Sequence, residues 1–154
     1  MKLVYLDTTI PSFLFDKRES TLTFSSITRD WWENERKKYD IWISEETIAE
    51  LEEGDYPNKN KILDCIQDIK VLNPDKRIVE IAEVYISNFL MPGDLKGDAI
   101  HLAYAAFYKI DFLLTWNCNH LANANKKQHM RIINTRLNLI VPEIITPMEL
   151  FEEE

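Results

Sequence analysis

The sequence predicts an α/β fold in which a parallel sheet carries helices on both faces. Short apolar runs recur along the chain, at Leu3–Leu6, Ile41–Ile43, Val71–Leu72, Phe112–Leu114 and Ile144–Ile145. They lack the polar alternation of a sheet with one wet face and read as strands buried on both sides. The segments between them space apolar residues three or four apart, which is the helical period. Strand, helix, strand, helix in sequence is the pattern of a parallel sheet with crossover helices.

The first strand, Leu3–Leu6, ends in Asp7-Thr8-Thr9, and Pro11 suits the first turn of a helix. A long helix is expected from about Thr21 to Tyr39, with Phe24, Ile27, Trp31, Glu35 and Tyr39 on one stripe and Trp32 beside it. Ile41-Trp42-Ile43 is the second strand. Ser44 is placed to cap a helix over Glu45–Glu53, which Gly54 stops. Pro57 opens another helix with Ile62, Ile66 and Ile69 along one face, and Val71-Leu72 follows as the third strand. Asp75 caps a helix whose apolar face is Ile78, Ile81, Ala82, Tyr85 and Phe89.

Met91-Pro92-Gly93-Asp94 is a break, with Asp94 as the cap of a helix over Leu95–Tyr108. That helix is apolar almost all round from Ile100 to Phe107, so a central, buried position is expected. Phe112-Leu113-Leu114 is the fourth strand, a helical stretch runs from His120 to about Leu137, and Ile144-Ile145 is the fifth strand. Thr146-Pro147-Met148-Glu149 has the form of a capping box with proline at the first position, opening a last short helix. No repeat or linker divides the 154 residues, so one domain over 1–151 is expected, with the acidic tail 152–154 frayed.

Composition narrows the function classes. With 45% apolar and 29% charged residues, and only three Gly and six Pro, the chain is globular rather than disordered or fibrous. Apolar runs such as Ala103–Phe107 are too short to span a bilayer. No basic segment followed by an apolar one begins at Met1, so the cytoplasm is the expected compartment. Cys65 and Cys118 lack zinc or redox spacing and read as free thiols. Acidic residues outnumber basic ones 26 to 18, a net charge of −8, which argues against nucleic-acid affinity driven by bulk charge. It leaves room for a local basic rim, for which Lys17, Arg18, Lys96, Lys126, Lys127 and Arg131 are candidates.

In an open parallel sheet the ligand site lies at the carboxyl ends of the strands. Asp7 sits there, after the first strand, and Thr8 and Thr9 leave it free of capping duty. Glu50 lies on the Ser44-capped helix; alone it would read as one more solvated carboxylate among Glu45, Glu46, Glu52 and Glu53. Asp98 is harder to dismiss, because it lies in the early turns of the most apolar helix, where an unpaired carboxylate is costly. The fourth strand ends Leu114-Thr115-Trp116-Asn117, followed by His120, which can bind a metal, take a proton or pack. His101, one turn beyond Asp98, reads as a supporting or core histidine. Three carboxylates on separate elements, with hydroxyl and amide oxygens, make an all-oxygen donor set suited to Mg²⁺ or Mn²⁺. No Gly-rich phosphate loop or dinucleotide fingerprint is present. Thr9 stands where an aspartate-nucleophile phosphatase would place its second Asp.

Taken in order, Leu6-Asp7-Thr8-Thr9, Ser44 through Glu50-Leu51, Asp98-Ala99-Ile100-His101-Leu102-Ala103, Leu114-Thr115-Trp116-Asn117 and Pro142 through Leu150 resemble the PIN-domain family, above all its VapC-type toxins. The resemblance implies a three-layer α/β/α fold with a five-stranded, mostly parallel sheet. It implies a Mg²⁺- or Mn²⁺-dependent endoribonuclease, commonly a homodimer, restrained by a cognate antitoxin. Asp7, Glu50 and Asp98 match three acidic positions of the family. Thr8, Thr9 and Thr115 match residues that orient ligands or phosphate. Where the family carries a fourth acid, this sequence has only Asn117 and His120. A second expectation follows from that departure: a non-catalytic PIN-like module that binds RNA or a protein. Trp31, Trp32 and Tyr39 are expected to form a hydrophobic surface for dimer or antitoxin contact.

Overall fold

The computed structural model describes residues 1–91, 97–117 and 124–151. Strands β1 (Leu3–Leu6), β2 (Asp40–Ser44), β3 (Lys70–Leu72), β4 (Phe112–Leu114) and β5 (Glu143–Ile145) stand where the apolar runs put them. They form one five-stranded sheet in the order β3-β2-β1-β4-β5, and each of its pairings is parallel. Val4 aligns with Ile41 on one side and Phe112 on the other. Strands covered on both faces need apolar side chains at successive positions. Val4, Leu6, Ile43, Leu114 and Ile145 enter one core, whereas Tyr5, Leu113 and Ile144 enter the other.

Among the described residues seven helices cover those two faces: α1 (Thr9–Phe13), α2 (Leu22–Asn34), α3 (Glu45–Glu52), α4 (Lys59–Cys65), α5 (Lys76–Ser87), α6 (Asp98–Phe107) and α7 (Ala124–Arg136). Ile10, Trp31, Leu51 and Ile62 bring α1 to α4 to the first core; Tyr85, Leu102 and Met130 bring α5 to α7 to the second. The architecture is three-layer α/β/α, as expected. Among the described residues no helix is long and apolar enough to cross a membrane.

Helix starts follow the capping residues in the sequence. The Ser44 hydroxyl accepts the Thr47 N–H at 3.4 Å, and the Asp75 carboxylate accepts the Arg77 N–H at 2.9 Å. Helix ends follow a rule the sequence hides. Helices α5, α6 and α7 each finish in a left-handed residue, Phe89, Lys109 and Asn138, with φ of 59°, 55° and 58°. The next N–H, from Leu90, Ile110 or Leu139, then reaches back to the carbonyl of Tyr85, Ala105 or Asn134 at 2.9, 2.9 and 2.8 Å. This explains a correction. Phe89 was expected on the buried face of α5, but the left-handed turn throws it outward, 89% exposed, while Leu90 takes the core position.

Other expectations change as well. The helix expected over Thr21–Tyr39 stops at Asn34, and a 3-10 turn over Arg36–Lys38 leads into β2. Its buried line is Ser25, Thr28 and Trp31, and Phe24 is left at the surface. The Thr28 hydroxyl bonds back to the Phe24 carbonyl at 2.6 Å, and its small side chain leaves room for the Trp116 ring. Trp31, Trp32 and Tyr39 do not form an open apolar surface. Trp31 is fully buried and stacked on Tyr39, and Trp32 packs half-buried beneath the Arg36 guanidinium. The central helix begins at Asp98 with Gly97 in the capping position, and Ala99 to Ala106 are all buried, as expected; the expected start at Leu95 and the Asp94 cap fall outside the described residues. The last short helix is a 3-10 turn, Pro147–Glu149, in which the Glu149 carboxylate accepts the Thr146 N–H at 2.8 Å. Cys65 is a free thiol. Pro92-Gly93-Asp94, Leu95, Lys96, Cys118, His120 and the tail 152–154 lie outside the described residues.

Candidate active site

Strand order reverses at β1: β2 and β3 add on one side, β4 and β5 on the other. The loops leaving β1 and β4 therefore diverge, which opens a crevice at the carboxyl edge of the sheet. Asp7 leaves β1 into this crevice, and Thr115 leaves β4 beside it.

Asp7 is only 2% exposed. One carboxylate oxygen accepts the Thr9 N–H at 3.0 Å and the Thr9 hydroxyl at 2.5 Å; the other accepts the Thr115 hydroxyl. Thr9 and Thr115 are tied in turn to the loop after β4. The Trp116 N–H donates to the Thr9 hydroxyl and the Asn117 N–H to the Thr115 hydroxyl, both at 2.9 Å. Asn117 then donates its side-chain amide to Asp98 at 2.8 Å, so β1, β4 and the start of α6 are linked.

Glu50 enters from α3. One of its oxygens accepts the Thr8 hydroxyl, the other meets His101 Nε2 at 2.9 Å, and the Gly97 N–H also serves it. Gly97 has φ of 92° and ψ of −137°, a conformation that side chains disfavour, so glycine is required to bring that N–H to the carboxylate. His101 Nδ1 lies 2.5 Å from the Tyr5 hydroxyl, which is 2.7 Å from the Ser44 hydroxyl. The chain is satisfied when the imidazole donates to both Glu50 and Tyr5, and Tyr5 donates to Ser44.

Charge follows geometry. Burial pushes the Asp7 carboxyl up to about 6; His101 and the two threonine hydroxyls counter it, and the like charge of Asp98 adds to it. Burial also works to raise Glu50, but His101, Thr8 and the Gly97 N–H outweigh it and hold the carboxyl below its ordinary range. For His101 burial works downward, yet the hydrogen bond and charge of Glu50, with Asp7 and Asp98, leave it above its ordinary value. Tyr5 is raised by burial and stays protonated. The three carboxylates and the imidazole thus form one electrostatic unit.

No family model matches the sequence, and no curated protein sequence matches it significantly. Solved structures do match in shape. FitAcB from Neisseria gonorrhoeae superposes with a TM-score of 0.57 at 13% identity, over 96% of this chain and 100% of that one. VapBC2 from Rickettsia felis, bound to a DNA fragment from their promoter, gives 0.57 at 15% identity, over 93% and 97%. This chain has a PIN-like fold. At such identities the likeness concerns the backbone, and the site rests on the geometry above.

Within this PIN-like fold the donors suit a hard cation. Asp7 and Asp98 are carboxylates whose like charges oppose one another; threonine hydroxyls surround Asp7, and Asn117 turns its amide N–H toward Asp98. Among the described residues no three His, Cys, Asp or Glu side chains are gathered as direct ligands of one ion. Mg²⁺ does not require that, because it commonly keeps several waters and takes one or two carboxylates. Asp7 and Asp98 are the carboxylates that could hold such an ion, with Glu50 tied to His101 beside them.

The structure brings together Asp7, Thr8, Thr9, Glu50, Asp98, Thr115 and Asn117; His120 is outside the described residues. Of the expected basic rim, Lys17 and Arg18 line a cavity of about 910 Å³ that also reaches Thr8 and Glu50. Arg18 is paired with Asp16 at 2.7 Å. Lys127 and Arg131 belong elsewhere, beside Val141 to Ile144 at the amino end of β5, on the opposite edge of the PIN-like sheet. Lys126 donates to the Leu90 carbonyl at 2.7 Å. Sequence reasoning missed Tyr5 and Gly97. The signal for Tyr5 was its hydroxyl in an otherwise aliphatic strand, since a buried phenol needs a partner.

Proposed function

We infer that this protein is a Mg²⁺- or Mn²⁺-dependent endoribonuclease and the toxin member of a toxin–antitoxin pair. The observation that carries the reading is Asp7, a buried carboxylate at the switch point of a parallel sheet, pushed up to about 6, opposed by the charge of Asp98 and sharing His101 with Glu50. A protein gains nothing in stability from burying such a charge, so a ligand that favours its ionised form is the natural reason for it. Asp7 and Asp98 would hold the ion. When bound there, such an ion would supply acidification of a water and stabilisation of charge on the leaving oxygen of a phosphodiester. Thr9 and Thr115 keep both oxygens of Asp7 aimed. His101, Thr8 and the Gly97 N–H keep Glu50 ionised and oriented, able to accept a hydrogen bond from an attacking water.

The similarity in shape to FitAcB and VapBC2, both toxin–antitoxin complexes, supports an antitoxin as partner. A homodimer in the cytoplasm belongs to the same reading. The test is cleavage of a mixed RNA pool in Mn²⁺ by wild type and Asp98→Asn, with a chelator control. The expected result is cleavage by wild type alone, abolished by the chelator; equal cleavage by both proteins removes the site assignment.

One observation favours a second reading. Asn117 occupies the place after β4 where a further acid would strengthen the metal site, and its amide is spent on Asp98. A non-catalytic PIN-like module that binds RNA or protein would need no such acid. Calorimetry showing no Mn²⁺ binding would select it.

A further inference from the structure

Beside the carboxylates stands an aromatic cluster that the cleavage chemistry does not use. Phe13 at the end of α1, Phe24 on α2 and Trp116 after β4 converge, with ring centroids 4.9 Å apart for Phe24 and Trp116 and 6.0 Å for Phe13 and Phe24. Two hydrogen bonds of Trp116 anchor the cluster. The Trp116 indole N–H donates to the Thr28 hydroxyl at 2.8 Å, and the Trp116 backbone N–H donates to the Thr9 hydroxyl that orients Asp7. It is also open: Phe24 is 43% exposed, and Phe13 continues into the cavity shared with Thr8, Glu50 and Lys17.

We propose that Phe13, Phe24 and Trp116 form a stacking platform for an unpaired base of a single-stranded RNA whose backbone reaches Asp7 and Asp98. The proposal rests on the nuclease reading and specifies its substrate class. One observation favours RNA over a protein as the occupant. The platform shares Thr9 and the 115–117 loop with the carboxylates, so whatever lies on it is held in register with the reacting centre. Stacking on aromatic rings does not depend on phosphate attraction, which a chain of net charge −8 offers only weakly. Every base offers a π-face, but in a duplex those faces are covered by neighbouring bases. A preference for single strands follows.

The experiment measures binding of a labelled random-sequence 12-nucleotide RNA, and of a duplex of the same length, by fluorescence anisotropy in EDTA to prevent cleavage. Wild type is compared with Phe24→Ala, Phe24→Leu and Phe24→Trp. Leucine retains apolar bulk, so a folded control is available even if alanine disturbs α2. Wild type is expected to prefer the single strand. Alanine and leucine are expected to weaken single-strand binding on the order of ten-fold, and tryptophan to restore it. Leucine binding as tightly as wild type overturns the platform, as does tighter binding of the duplex. Mn²⁺-dependent cleavage is assayed in parallel. Cleavage without ring-dependent binding removes the platform and leaves the nuclease; ring-dependent binding without cleavage does the reverse.

Discussion

Replacing Asp7 by asparagine should make the metal-free protein more stable at neutral pH, although it removes a central residue of the site. The rise of its carboxyl from 3.8 to about 6 corresponds to about 3 kcal/mol against the ionised form in the folded state. Asparagine is nearly the same shape and carries no charge. Its oxygen can accept the Thr9 N–H, and its amide can face the Thr115 hydroxyl. Imperfect pairing with the threonine hydroxyls returns about 1 kcal/mol, leaving a net gain of about 2 kcal/mol. For a chain of this length that is roughly 4–8 °C in Tm. The gain must depend on pH. As pH falls from 7.5 through about 6, folded wild type takes up a proton that the unfolded chain, titrating near 3.8, does not. Wild type therefore gains on the variant down to about pH 4, and the contribution is lost again as pH rises through the folded value. Metal acts in the opposite sense. Mn²⁺ at a hundred times its Kd should add about 2.7 kcal/mol to wild type and much less to Asp7→Asn. Calorimetric melts of both proteins at pH 5 and 7.5, with and without Mn²⁺, read all of this. A variant less stable than wild type at pH 7.5, or a difference that ignores pH, would refute the reasoning.

His101→Ala removes the partner of both Glu50 and Tyr5, and urea unfolding should show a loss of about 3 kcal/mol. Tyr5→Phe, which leaves the Ser44 hydroxyl and the imidazole without the phenol, should cost about 1–2 kcal/mol in the same assay. Phe89→Gly should stabilise by about 1 kcal/mol, because the left-handed turn that closes α5 strains a side chain the surface does not need. Leu102→Ala, at a fully buried position on α6, should cost about 2–5 kcal/mol and lower the urea midpoint without changing its slope.

The sheet is legible in the chain alone. Five apolar runs became five parallel strands, because a strand covered on both faces must be apolar throughout, and that is visible without neighbours. The sequence also placed Asp7 at a strand end and Asp98 in the early turns of the most apolar helix, since caps and periods are local signals; that the helix starts at Asp98 itself only the structure shows. Contacts between distant segments were beyond the sequence. Tyr5 meets Ser44 39 residues away and His101 96 residues away, and Thr115 meets Asp7 across 108. Such pairs exist only once β1 lies between β2 and β4, and nothing in the spacing of the residues sets that order. The stripe on α2 fails for a related reason. Apolar periodicity favoured Phe24, but Thr28 is buried where Trp116 arrives from the end of β4, and Phe24 is left outside to meet that ring edge-on. Local patterns choose the elements; which side chains meet depends on how the sheet stacks them.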